Sequence, residues 1–151
     1  MTSDIARLQS LSGGVILDND DVDTMPVHPI LVISANWQTR ALLAAQVGEM
    51  TSHNITSAPG VNEALALIKT AGIHPVLLVV DAGQQMAHED VERLMAALPD
   101  TPLVLSVSAL RRATFDPLRE RCAAYLVRPV SIGRIAQAVA QAMESTRASR
   151  S

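Results

Sequence analysis

The segment Val76-Leu77-Leu78-Val79-Val80-Asp81 decides the fold class of this 151-residue chain. Five consecutive apolar residues, three of them β-branched, predict a short strand that is buried on both faces, as in a parallel sheet. Asp81 directly follows this strand, and functional groups in parallel sheets gather at the carboxyl ends of the strands. Two interpretations of Asp81 are open. It is a nucleophilic or metal-binding carboxylate, or it ends the strand by accepting hydrogen bonds from loop amides.

Similar apolar runs recur on both sides of this segment and alternate with helical patterns. The predicted strands comprise residues 30–33, 53–58, 76–80, 103–107 and 124–127. Apolar residues at helical spacing predict helices over 37–50, 61–70, 89–98, 111–121 and 131–143. Asn36 and Ser131 are suitable N-cap residues for the first and last of these helices. Five βα units in this order predict an α/β fold, in which a doubly wound five-stranded parallel sheet is sandwiched by helices.

The chain divides into one domain and two flanking segments. We expect residues 29–143 to form the domain, residues 1–28 a flexible acidic leader, and residues 144–151 a polar, frayed C-terminal tail. Within the leader, Ile5, Leu8 and Leu11 have the spacing of a short amphipathic helix. Four aspartates lie within residues 18–23, but the glycine and distal glutamate of a calcium loop are missing.

Composition excludes several classes of protein. An apolar content of 48% argues against a mostly disordered chain, and an aromatic content of 2% argues against a stacking platform for single-stranded nucleic acid. The single cysteine, Cys122, excludes an internal disulfide and is expected to be a buried, inert thiol. The four histidines lack metal-ligand spacing. Because no apolar run approaches a membrane span or a secretory signal, we expect a cytoplasmic protein.

Charge is unevenly distributed along the chain. Residues 1–100 carry 4 basic and 12 acidic side chains, a net charge of −8, whereas residues 101–151 carry 8 basic and 3 acidic side chains, a net charge of +5. The basic half either steers an acidic partner or consists of scattered solvated positions. Direct DNA binding is not expected, because the chain is acidic overall and no separate helix-turn-helix follows residue 143.

The five βα units resemble the receiver domain of two-component response regulators, a flavodoxin-like fold, over residues 29–143. Asp81 matches the phosphoacceptor aspartate of that family. The segment Ala124-Tyr125-Leu126-Val127-Arg128-Pro129 resembles the Tyr-Leu-x-Lys-Pro motif of the fifth strand, with Tyr125 at the switch aromatic and Arg128 at the lysine. Ser108 with Ala109 resembles the Thr/Ser-Ala pair after the fourth strand, and Ser106 offers a competing alignment.

The departures from the family pattern fall together at one pocket. Receivers place two acidic residues at the end of the first strand, where they help to hold Mg²⁺, but this chain has Ser34 and Ala35, followed by Asn36. A hard dication needs anionic oxygen ligands, so Asp81 alone leaves Mg²⁺ short of charge and slows phosphoryl transfer. Arg128 keeps the positive charge of the lysine and is suited to a bidentate ion pair with Asp81 in place of the metal. We therefore predict a degenerate receiver, or pseudo-receiver, without catalytic residues, metal or cofactor.

Three functions remain open at this point. The first is a non-enzymatic signalling module that binds a protein partner, or a second copy, through residues 111–143. The resemblance implies this face, and its arginines would pair with an acidic partner or with Asp116 and Glu120 of another copy; they are Arg111, Arg112, Arg119, Arg121 and Arg134. The second is a receiver that is phosphorylated on Asp81 with Mg²⁺. The third is nucleotide or small-ligand sensing, with Arg128 and the arginines near Arg111 binding phosphates, although no glycine-rich phosphate loop is present.

Three side chains near the pocket have two interpretations each. Trp37 either covers the pocket or anchors a partner, or it packs as ordinary core, which we favour. Tyr125 either moves with the state of the site or is fixed through its hydroxyl. His88 either approaches the pocket or lies at the surface, and we expect the surface.

Overall fold

The computed structural model describes residues 28–150, so the predicted leader apart from His28, and Ser151, lie outside the described residues. The strands are β1 (Ile30–Ser34), β2 (Ile55–Ala58), β3 (Leu77–Asp81), β4 (Leu103–Ser108) and β5 (Ala124–Arg128). The α-helices are α1 (Trp37–Thr51), α2 (Val61–Thr70), α3 (His88–Ala97), α4 (Arg112–Phe115) and α5 (Ile132–Arg150). Two 3₁₀ turns, Ala109–Arg111 and Asp116–Arg121, flank α4.

All five strands are parallel and lie in the order β2-β1-β3-β4-β5, which confirms the doubly wound sheet. The register pairs Ser34 with Asp81, and Asp81 with Ser106. Ser108 pairs with Arg128 at the end of β5. The last residues of four strands thus meet along one side of the sheet, which we call the carboxyl edge.

Both faces of the sheet are covered, and this explains the uninterrupted apolar runs of the central strands. On one face Leu31, Leu78 and Leu105 pack against α2, α3 and the segment around α4. On the other face Ile30 and Val79 pack with residues of α1 and α5. Successive residues of each central strand contribute to opposite faces, so nearly every position in the strand is apolar.

The helix boundaries follow local chemistry. The side chain of Asn36 accepts a hydrogen bond from the amide of Thr39 at the start of α1, and Ser131 accepts one from the amide of Arg134 at the start of α5. Gly72 has a φ of 66° just after α2, a left-handed conformation that favours glycine. These residues end or begin helices where the sequence indicates.

Two of the predicted elements are wrong. The continuous helix over 111–121 is instead a single α-helical turn between two 3₁₀ turns. Pro117 has no N–H to continue the α-helical ladder. Phe115 and Leu118, both fully buried, are three residues apart, which is the repeat of a 3₁₀ turn. The last helix does not end near Met143, because α5 continues through the polar residues to Arg150.

Candidate functional site

The centre of the carboxyl edge is a charge pair between Asp81 and Arg128. Nη1 of Arg128 donates to Oδ1 of Asp81 at 2.5 Å, and the hydroxyl of Ser34 donates to Oδ2 at 2.9 Å. The Asp81 side chain is only 13% exposed. Both carboxylate oxygens therefore have hydrogen-bond donors within the protein, and the negative charge is compensated by a guanidinium.

The remaining contacts of Arg128 are with backbone and hydroxyl oxygens. Nη1 also donates to the carbonyl and the hydroxyl of Ser106, both at 3.1 Å, and Nη2 donates to the carbonyl of Ala82 at 2.7 Å. The expected bidentate pair with Asp81 is therefore wrong, because the second nitrogen of the fork is used by the Ala82 carbonyl. Through these bonds one side chain connects the carboxyl ends of β3, β4 and β5.

The two serines of β4 lie in different surroundings. Ser106 is buried, and its hydroxyl contacts Arg128. Ser108 accepts a hydrogen bond from the amide of Leu110 and so starts the first 3₁₀ turn. Of the two serines that could match the family's Thr/Ser position, Ser106 is therefore the one that contacts the charge pair.

The end of β1 carries no carboxylate. Ser34 is buried against Asp81, Ala35 is exposed, and the Asn36 side chain caps α1. Arg40 donates through Nη1 to the carbonyl of Ser34 at 2.7 Å. Sequence reasoning missed Arg40; the available signal was a cation in the first turn of a helix, where the helix dipole disfavours positive charge.

These residues do not fit the Mg²⁺ that the receiver resemblance implies. The two positions at the end of β1 supply a hydroxyl and a methyl group, and neither is an anionic ligand. The one carboxylate at the centre is bound to a guanidinium. Within residues 28–150 no group of three or more His, Cys, Asp or Glu side chains is arranged to hold a metal ion.

A cleft of about 670 Å³ lies beside the charge pair, between the loops that follow β1, β2 and β3. The polar residues that line it include Asn62, Glu63, Gln84, Gln85 and Asp90. Arg128 and Arg111 do not line it, and the guanidinium of each is bonded to oxygens of the protein. This arrangement does not favour phosphate binding by those two arginines.

Arg111 acts on the loop after β3. Its Nη1 donates to the carbonyls of Gly83 at 2.7 Å, Gln84 at 3.1 Å and Met86 at 2.6 Å. Its guanidinium carbon also lies 5.0 Å from the centroid of the Phe115 ring. These bonds attach the first 3₁₀ turn to residues 83–86, in the loop that follows the carboxyl end of β3.

The other arginines of the predicted face are at the surface. Arg112 lies 3.9 Å from Asp116, and Arg121 lies 3.4 Å from Glu92. The guanidinium of Arg119 lies over the Tyr125 ring at 5.7 Å, and Arg134 is exposed on α5. Three of these four arginines therefore contact side chains of the same chain.

Tyr125 is held by its hydroxyl. The hydroxyl donates to Oδ1 of Asp116 at 2.9 Å and lies 3.4 Å from the carbonyl of Arg112. Burial, together with the hydrogen bond to the Asp116 carboxylate and its charge, raises the pKa of Tyr125 to about 12. Cys122 is partly buried, and burial raises the pKa of its thiol to about 11, so the thiol is protonated at neutral pH.

Trp37 and His88 are the other two side chains for which the sequence left two interpretations open. Trp37 is 67% exposed, so the core placement that we favoured is wrong. Its helix packs on the sheet through Leu43 and Val47, on a different side of α1. His88 begins α3; its side chain is partly buried, and its Nε2 lies 3.8 Å from Glu92.

Comparison with known proteins extends the description of the fold. No protein-family model and no curated protein sequence matches the chain. Among solved structures, the receiver domain of NtrX from Brucella abortus is 21% identical, with a TM-score of 0.64 over 77% of this chain and 98% of that one. The receiver domain of AraT, a response regulator from Geobacillus stearothermophilus, is 17% identical, with a TM-score of 0.66 over 83% and 99%.

A third similar structure is described as an adenylate cyclase from Rhodopirellula baltica, at 15% identity and a TM-score of 0.65 over 82% of this chain and 95% of that one. At these identities the similarity concerns the fold. Within residues 28–150, no helix has the length and apolar character required to cross a membrane. The chain has the flavodoxin-like fold of response regulator receiver domains.

Proposed function

We propose that this chain is an atypical receiver-like module of two-component signalling. It works in the cytoplasm, is not an enzyme, and transmits signals by protein–protein interaction without Mg²⁺-dependent phosphorylation. The observation that carries this proposal is the guanidinium of Arg128 on Oδ1 of Asp81.

Phosphorylation of an aspartate requires a free carboxylate oxygen as nucleophile and a cation that neutralises the transferring phosphoryl group. In this chain Arg128 and Ser34 occupy both oxygens of Asp81. A metal ion placed about 4 Å from the guanidinium would be repelled by about 4 kcal/mol for each unit of its charge at an effective dielectric constant of 20. The site therefore favours the arginine over the metal.

The partner surface that we propose lies within residues 111–143. Its exposed cations are Arg112, Arg119, Arg121 and Arg134, and Asp116 and Glu120 supply negative charge. Mixed charges on one exposed face suit either an acidic protein partner or a second copy related by two-fold symmetry. Arg111 is excluded from this role because it holds the loop after β3.

The decisive test is incubation of the purified protein with acetyl phosphate and Mg²⁺, followed by intact-mass measurement. We expect no added phosphate on the parent protein. The variant Asp81→Asn is the matched control, since it replaces the carboxylate with an amide of nearly the same size and so removes the phosphate acceptor. A phosphate that appears on the parent and is absent from Asp81→Asn contradicts the proposal and establishes the alternative, a receiver that is phosphorylated on Asp81.

A further inference from the structure

The outer face of α1 is exposed, apolar and almost free of charge. It consists of Trp37, Gln38, Ala41, Leu42, Ala45 and Glu49, which are all exposed. Trp37 is 67% exposed and Leu42 is 57% exposed. The only other charged residue of α1, Arg40, is directed to the carbonyl of Ser34. Large exposed apolar side chains grouped on one face are typical of a surface that another segment covers.

The described chain begins next to the far end of the same helix. His28 lies against His74, with Nδ1 at 3.2 Å from the His74 carbonyl, and Pro29 accepts a hydrogen bond from Val76 at 2.9 Å. Val76 and His53 line a groove of about 190 Å³ together with residues of α5. Because α1 runs antiparallel to β1, its C-terminal end lies at this amino end of the sheet, so residues 1–27 enter beside it.

The length of the preceding chain is sufficient to reach Trp37. The 15 residues of α1 extend over about 22 Å at 1.5 Å per residue. Residues 12–27 can extend over about 50 Å. The segment 5–11 can therefore reach Trp37, and its tether gives it an effective concentration of the order of millimolar, well above that of a second copy in dilute solution.

The sequence of the leader matches this surface in chemistry. Ile5, Leu8 and Leu11 recur at the spacing of one helical face. In the sequence, the four aspartates within residues 18–23 come between these apolar residues and His28. We propose that residues 5–11 dock on the outer face of α1, with their apolar side chains against Trp37 and Leu42.

Trp37 is the only tryptophan of the chain, so its fluorescence reports directly on this contact. In the 151-residue protein we expect blue-shifted emission and slow quenching by acrylamide. The double variant Leu8→Asp/Leu11→Asp should raise the quenching constant about twofold or more, because a covered indole meets the quencher only when the contact opens. Gln9→Asp/Ser10→Asp is the matched control, since it adds the same two negative charges at polar positions of the segment and should leave quenching unchanged.

Three outcomes overturn the proposal. The first is a tryptophan that is fully accessible in the parent protein. The second is a shielded tryptophan whose quenching is the same in the parent and in the double variant. The third is shielding that disappears on dilution, which assigns the outer face of α1 to contact between two copies. None of these outcomes bears on Asp81, so the test is independent of the proposed function.

Discussion

Arg128 makes a set of contacts that a lysine at the same position would not reproduce. Its planar fork directs one nitrogen to Asp81 and Ser106 and the other to the Ala82 carbonyl. A lysine presents a single ammonium, which can pair with the carboxylate but cannot reach oxygens on two sides at fixed angles. Arginine at this residue therefore connects the carboxyl ends of β3, β4 and β5 through one side chain.

A prediction at the residue scale concerns the ionisation of Tyr125. Its folded-state pKa of about 12 lies above the ordinary value of about 10. The protonated phenol thus stabilises the fold; this contribution is complete below pH 10 and is lost as the pH rises to about 12. Since Tyr125 is the only tyrosine, the ultraviolet absorbance of the phenolate measures it directly, and we expect a midpoint well above that of the urea-unfolded chain.

The variant Asp116→Asn provides the matched comparison for this titration. It removes the negative charge and the charged acceptor beside the hydroxyl but keeps a carbonyl oxygen at the same place. The midpoint should fall toward 10 without reaching it, because burial, the largest cause of the shift, remains. A folded parent protein that titrates at the midpoint of the unfolded chain would contradict the assignment.

At the scale of elements, we predict that Arg111 holds the loop after β3 in place. The Arg111→Ala variant loses three hydrogen bonds from one guanidinium to loop carbonyls. Charge-assisted hydrogen bonds contribute about 1.5–3 kcal/mol each, so amide exchange at Met86 and Ala87 should accelerate about tenfold or more. Hydrogen exchange read by mass spectrometry or NMR measures this, and unchanged exchange at both amides would show that the loop is held by other contacts.

Arg112→Ala is the appropriate control for that experiment. Arg112 is the next residue in the chain, it has the same side chain, and its guanidinium lies near Asp116 instead of the loop. Exchange at Met86 and Ala87 should be the same in Arg112→Ala and in the parent protein. The comparison separates a local effect of Arg111 from general loosening of the 3₁₀ turn.

The elements that the sequence predicts well are those in which burial alone sets the pattern. The strand run 103–107 corresponds to β4 (Leu103–Ser108), and the helix over 61–70 corresponds to α2, because both have apolar residues in the pattern of their buried faces. The segment 111–121 is different. Its helical spacing is satisfied equally by short 3₁₀ turns, and the choice depends on Pro117 and on where Phe115 and Leu118 enter the core.

In the candidate site, too, the sequence predicts the strand ends but not the contacts that depend on turns and loops. Asp81 and Arg128 come together because each ends a strand of one parallel sheet, and the βα pattern predicts that such ends share one edge. The bonds of Arg111 and Arg40 to backbone carbonyls depend on the path of loops, which residue types do not specify. Trp37 was misplaced because α1 is apolar on its outer face as well as its inner one, so periodicity does not identify the side that faces the sheet.

At the scale of the whole molecule, fold and chemistry have separate determinants. The central strands of the sheet are built from apolar residues that lie in the buried clusters on its two faces. The chemistry depends on the few residues that end the strands, so the proposed loss of phosphorylation requires no change in architecture. The same separation predicts that the lost chemistry can be restored by substitution at those ends alone.

The variant that tests this is Ser34→Asp/Ala35→Asp/Arg128→Lys. Ser34 pairs in register with Asp81, so the new carboxylates would lie beside it, and replacing the fork releases the Ala82 and Ser106 carbonyls. Each added carboxylate near a cation contributes about 1 kcal/mol or more. We therefore expect the variant to bind Mg²⁺ at least about tenfold more tightly than the parent in calorimetric titration, and to accept phosphate from acetyl phosphate.

Adding Asp81→Asn to that triple variant should abolish the phosphate but leave the fold intact by circular dichroism. If the triple variant binds Mg²⁺ but still accepts no phosphate, the barrier lies elsewhere in the carboxyl edge, and the loop held by Arg111 is the next element to release. If it does not bind Mg²⁺ at all, the three strand-end residues are not what distinguishes this molecule from a metal-dependent receiver. The charge pair of Asp81 and Arg128 would then be a structural feature of the sheet, without the functional consequence that we assign to it.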